Sequence, residues 1–103
     1  MPDEVTVTVR YLFKPGMEII GRQLLSEFIE LNRKEPGCLD TILHRDRKNP
    51  ASFMTISHWE SMDKFMELLN LERVKTSAEK GKQLLARGFE VEIWTALGKK
   101  AGD

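Results

Sequence analysis

The chain has 103 residues, a size that supports one hydrophobic core, and its 41% hydrophobic and 31% charged residues resemble those of an ordinary globular protein. Sixteen Lys plus Arg balance sixteen Asp plus Glu, so no basic excess draws polyanions and nucleic acid is not an expected partner. No apolar run nears the roughly 20 residues a membrane span needs. With an acidic start at Met1-Pro2-Asp3-Glu4 and a single cysteine, Cys38, the expected location is the cytoplasm.

Val5, Val7, Val9, Tyr11 and Phe13 alternate with Thr6, Thr8, Arg10 and Leu12, the period of two that marks a first strand. Lys14-Pro15-Gly16 ends it, because proline lacks the ladder donor and glycine accepts turn dihedrals. Met17, Ile20, Leu24, Leu25, Phe28 and Leu31 then recur at steps of three and four, which predicts an amphipathic helix over residues 17–34. Pro36-Gly37 stops that helix.

Cys38 to Asp46 reads as a less regular edge strand, with Leu39, Thr41 and Leu43 alternating against Asp40, Ile42 and His44. Arg47 to Ala51, containing Asn49-Pro50, is a hairpin turn. Ser52 to Glu60 is the third strand, Phe53, Thr55, Ser57 and Trp59 on one face and Met54, Ile56 and His58 on the other. Ser61 is placed to cap a second helix whose apolar stripe is Phe65, Leu68 and Leu69, with a break expected near Asn70 or Gly81. After Gly88, the residues Phe89, Val91, Ile93, Thr95 and Leu97 alternate through a last strand, and 98–103 form a tail.

The order β-α-β-β-α-β predicts one α+β domain of ferredoxin-like fold, with a four-stranded antiparallel sheet covered by helices on one face. The other face should be polar if it meets water, yet Leu12, Trp94 and Ala96 fall there and the third strand is apolar on both sides. Such a patch predicts a second copy packed sheet to sheet, a two-fold homodimer.

His44 and His58 are the only imidazoles. A hairpin turning around Lys48 and Asn49 sets His58 opposite Asp40 and His44 opposite Met54, which parts the histidines and offers no shared metal site. Asp40 could fix the tautomer of His58 and raise its basicity, or the two could form a plain cross-strand surface pair. Trp59 suits either stacking on a planar substrate or anchoring the strand-helix corner, and the Tyr11 hydroxyl needs a buried partner or a ligand. Cys38 has no neighbouring base and reads as a small hydrophobe.

Lys14-Pro15-Gly16, Glu35-Pro36-Gly37-Cys38-Leu39, Asp46 with Asn49-Pro50 and Phe53, and Trp59-Glu60-Ser61 leading into Phe65 together resemble the antibiotic biosynthesis monooxygenase family over about residues 5 to 97. The resemblance implies a dimeric α+β barrel and, in one branch, oxidation of quinol-like or polycyclic phenolic substrates by molecular oxygen without metal or flavin. Other members degrade haem. Where members often carry a glutamate before the third-strand tryptophan this chain has Ser57, and where they carry histidines in the second helix it has Leu68 and Arg73. The haem-branch tryptophan and axial histidine fall on Leu68 and Ala78, neither of which ligates iron.

The expectation is therefore a cofactor-independent monooxygenase of a small aromatic or quinol-like molecule, with His58, Trp59 and Asp40 as catalytic candidates. Tyr11, Phe65 and Leu68 would line a pocket between the second helix and the sheet. The alternative is the same dimer holding a small hydrophobic molecule without turnover.

Overall fold

The structure, a computed structural model, describes residues 4–97, so the expected tail at 98–103 lies outside the described residues. Its elements are β1 (Val5–Leu12), α1 (Glu18–Asn32), β2 (Cys38–Arg45), β3 (Ser52–Trp59), α2 (Met62–Leu69), α3 (Glu72–Leu84) and β4 (Glu90–Thr95). The four strands form one antiparallel sheet in the order β2-β3-β1-β4. This is the ferredoxin-like arrangement, with the second helix divided in two.

The division falls at Asn70. Its amide closes the last turn of α2 on the carbonyls of Met66 and Glu67, and Leu71 then swings to extended dihedrals (φ −70°, ψ 136°) before α3 begins. Gly81, the other expected break, sits inside α3 without interrupting it. At the start of α2 the Ser61 hydroxyl accepts from the Lys64 amide at 3.3 Å, capping an otherwise unpaired donor.

α1 ends at Asn32, two residues short of the sequence expectation, and the chain turns through Gly37, whose φ of +90° suits a residue without a side chain. The β2–β3 loop is held by Asp46, whose carboxylate accepts from the amides of Lys48 (2.7 Å) and Asn49 (3.2 Å); those two bonds draw its pKa below the usual range. The resulting register pairs Asp40 with His58, Ile42 with Ile56 and His44 with Met54. A register shift between Cys38 and Asp40 gives β2 its irregular start.

Val5, Val7, Val9 and Tyr11 of β1 and Phe53, Thr55, Ser57 and Trp59 of β3 share the face under the helices. The core beneath them is in two pieces. One gathers Val5, Val7, Trp59, Phe65, Leu68 and Val74; the other gathers Phe13, Leu25, Phe53 and Leu85. α1 approaches β1 closely at Gly21, where any Cβ would come within about 2.5 Å of the Phe13 ring.

The opposite face carries three cross-strand rows: Asp40, His58, Thr6 and Trp94; Ile42, Ile56, Thr8 and Glu92; His44, Met54, Arg10 and Glu90. No helix covers these rows, and Ile42 and Trp94 remain 51% and 59% exposed. β4 is exposed on both faces, since Val91 and Ile93 on its inner side also lie open.

Candidate functional site

Between the two pieces of the core lies a cavity of about 270 Å³. The sheet forms its floor through Val7, Val9, Tyr11, Thr55, Ser57 and Trp59, while Leu24, Phe28, Phe65 and Leu68 close it from the helices. Ser77, Ala78 and Gly81 give α3 a wall of small residues on this side. Phe89 and Val91 both line the cavity and stand partly exposed, so it opens toward β4, the strand the helices leave uncovered.

The lining is almost wholly hydrocarbon. No carboxylate, imidazole, guanidinium or amine belongs to it among the described residues, which leaves the Tyr11 phenol as its one oxygen acid. Burial pushes that phenol up to about 12 from its ordinary 10.0, and a hydrogen bond with the Thr55 hydroxyl offsets part of the rise. Both groups are hydroxyls, each able to donate and to accept, so the pair offers a ligand oxygen two partners on the cavity floor.

The remaining polar groups are mostly committed. The Trp59 indole donates to the Ser57 hydroxyl at 3.0 Å, and Ser57 in turn points to the Val7 carbonyl at 3.5 Å. Asn32, at the end of α1, accepts from the Arg73 guanidinium at 3.0 Å, and the same guanidinium reaches Glu35 at 3.0 Å. Arg73 thereby ties the first turn of α3 to the end of α1, fixing the helices that roof the cavity.

Of the six candidates read from the sequence, Tyr11, Trp59, Phe65 and Leu68 all line this cavity. The His58 Nδ1 and the Asp40 carboxylate meet at 2.6 Å, as the register implied, but they stand on the opposite side of the sheet, half exposed. The structure thus brings His58 to Asp40 and parts both from Trp59, because successive residues of one strand point to opposite faces. Among the described residues, no group of three or more His, Cys, Asp or Glu side chains could hold a metal ion. No helix among the described residues is long and apolar enough to cross a membrane.

The family model for antibiotic biosynthesis monooxygenase matches residues 4–80. The chain belongs to the antibiotic biosynthesis monooxygenase family. Solved structures share its fold at low identity. SnoaB of Streptomyces nogalater, a cofactor-independent oxygenase, superposes with a TM-score of 0.84 at 22% identity, over 96% of this chain and 98% of its own. A Mycobacterium tuberculosis protein gives 0.87 at 20%, over 95% and 99%, and a Pseudomonas aeruginosa protein 0.86 at 22%, over 95% and 98%. No curated protein matches the sequence. At these identities the likeness carries the fold alone.

For a member of this family the sequence reading overlooked Asn32, Thr41, Thr55, Ser57 and Ser77, the polar residues that line the cavity beside Tyr11, and Arg73 as the tie between helices. Thr55 and Ser57 carried a signal, since both alternate with Phe53 and Trp59 on a face that had to be buried. Asn32 and Arg73 carried none: 41 residues separate them, and neither sits in a local motif.

Proposed function

We propose that this chain is a cofactor-independent monooxygenase of a small aromatic or quinol-like substrate, bound in the cavity between the helices and the sheet. The single observation that carries this reading is an almost purely hydrocarbon cavity with one phenol donor at its floor, in a chain of this family. SnoaB, of like fold, is a cofactor-independent oxygenase.

The reaction needs an ionised, electron-rich ring, a donor for the developing oxyanion and a site without bulk water. Here the substrate enters neutral through the β4 side and gives its proton to water at the mouth, since Tyr11, held protonated by burial, cannot take it. The Tyr11 hydroxyl donates to the oxyanion so formed. Molecular oxygen then takes its electrons from the substrate, one oxygen atom becoming the new carbonyl on a ring carbon and the other leaving as water. Trp59 and Phe65, with ring centroids 5.8 Å apart, give the ring an aromatic wall.

One observation favours a second reading, binding without turnover: no general base lines the cavity among the described residues. Oxygen uptake with a panel of hydroquinones, naphthols and anthrones, run with metal chelators present, separates the two. The monooxygenase requires chelator-insensitive uptake that falls at least tenfold in Tyr11→Phe. Binding of the same compounds with no uptake leaves the second reading.

The working unit in this proposal is a homodimer, with the exposed sheet face carrying Ile42, Ile56 and Trp94 packed on its copy about a two-fold axis. The His58–Asp40 pair belongs to that face and serves the contact instead of the chemistry. Light scattering should give twice 11.9 kDa, and Trp94→Glu should shift the mass toward the single chain.

A further inference from the structure

The cavity differs from a generic greasy hole in three measurable ways: its size, its lack of any cation among the described residues, and the position of the Tyr11 hydroxyl on its floor. An apolar cavity of about 150 Å³ admits benzene. The 270 Å³ present here accommodates two fused rings and little more. No Lys, Arg or His reaches the lining among the described residues, so a ligand that carries its negative charge in from water would have to shed its hydration with no cation to receive it, a penalty that a ligand entering neutral avoids.

Two of the polar side chains of the lining are paired within the protein. Ser57 is taken by the Trp59 indole and the Asn32 carbonyl by Arg73. Tyr11 and Thr55 are diagonal neighbours across β1 and β3, since Thr55 pairs with Val9, and both line the cavity, which puts two hydroxyls side by side on its floor. The Tyr11 ring stacks on Phe13 at 6.5 Å and is tilted against Phe89 at 6.1 Å, so its hydroxyl is held in one place by aromatic packing on two sides.

We infer that this cavity selects uncharged one- or two-ring aromatic molecules bearing a hydroxyl or carbonyl, with Tyr11 and Thr55 as the specificity-determining pair that receives that oxygen. The inference rests on the reading that the cavity is the substrate site and narrows it to a substrate class: larger ring systems and aromatic acids are excluded.

Calorimetric titration of the full chain at neutral pH with 2-naphthol, naphthalene, 2-naphthoate and anthrone tests it. The expected order is 2-naphthol at least fivefold tighter than naphthalene, with 2-naphthoate and anthrone each at least tenfold weaker than 2-naphthol. Tyr11→Phe and Thr55→Val, each checked for a native thermal transition, should remove the advantage of 2-naphthol over naphthalene and leave naphthalene itself unchanged; a merely structural role would move both ligands together. Equal binding of 2-naphthol and naphthalene, indifferent to both variants, overturns the selectivity while leaving the cavity as a binding site. Tight binding of 2-naphthoate or anthrone also overturns it. Failure of all four to bind overturns the cavity reading as well.

Discussion

The indole nitrogen of Trp59 donates to the hydroxyl of Ser57 at 3.0 Å, two residues back along the same face of β3, and Trp59 is 1% exposed. The largest fully buried side chain of the fold therefore has its polar end satisfied from within its own strand. Ser57→Ala removes that acceptor and strands a buried N–H, at a cost of about 1–3 kcal/mol. In a Trp59→Phe background there is no N–H to strand, and the same change should cost under about 1 kcal/mol. A double-mutant cycle from urea unfolding measures the difference.

Tyr11 is the single tyrosine, so the phenolate absorbance of the chain reports this residue alone. Its folded pKa, about 12, lies above the 10.0 of the unfolded chain. The folded state therefore holds the proton more tightly. Its contribution to stability is full below about pH 10 and is lost as pH rises through 12, about 3 kcal/mol in all. Spectrophotometric titration should show a midpoint well above 10, and alkaline unfolding of Tyr11→Phe should lose this part of its pH dependence.

Arg73→Met keeps much of the apolar stem but removes the hydrogen bonds to Asn32 at the end of α1 and to Glu35 just beyond it, leaving the buried Asn32 carbonyl unpaired. A loss of about 1–3 kcal/mol is expected. Amide hydrogen exchange should rise through α3 more than through the sheet, because the guanidinium is what pins that helix over the cavity.

Gly81 lies within α3, lines the cavity, and a Cβ built there meets nothing within 4 Å. Gly81→Ala should raise stability by up to about 1 kcal/mol through helix propensity. Gly81→Leu should fold and fill the cavity, lowering 2-naphthol affinity at least tenfold. The contrast is Gly21→Ala, where the new methyl meets the Phe13 ring and thermal unfolding should show a loss.

Much of the fold was legible because its signals are local. Alternation through Val5 to Phe13 and Ser52 to Glu60 set the strands and their faces, and the short loop at Asp46 to Ala51 fixed the pairing of Asp40 with His58. Asn70 was legible as a break because asparagine and the following residues are weak helix formers; Gly81 misled, since one glycine costs a helix too little to end it when neighbouring turns pack. The cavity was half legible. Tyr11, Trp59, Phe65 and Leu68 were found as apolar or aromatic residues on inward faces, whereas the tie of Arg73 to Asn32 joins distant helices and exists only once both have docked. His58 and Asp40 were paired correctly, and alternation already placed His58 and Trp59 on opposite faces of one strand.

Crystals grown or soaked with 2-naphthol test the central claim most directly. The expected electron density lies beneath α3 between Trp59 and Tyr11, with the naphthol oxygen within hydrogen-bonding distance of the Tyr11 hydroxyl. A ring seated instead on the outer sheet face against Trp94, or an empty cavity at saturating 2-naphthol, would contradict it.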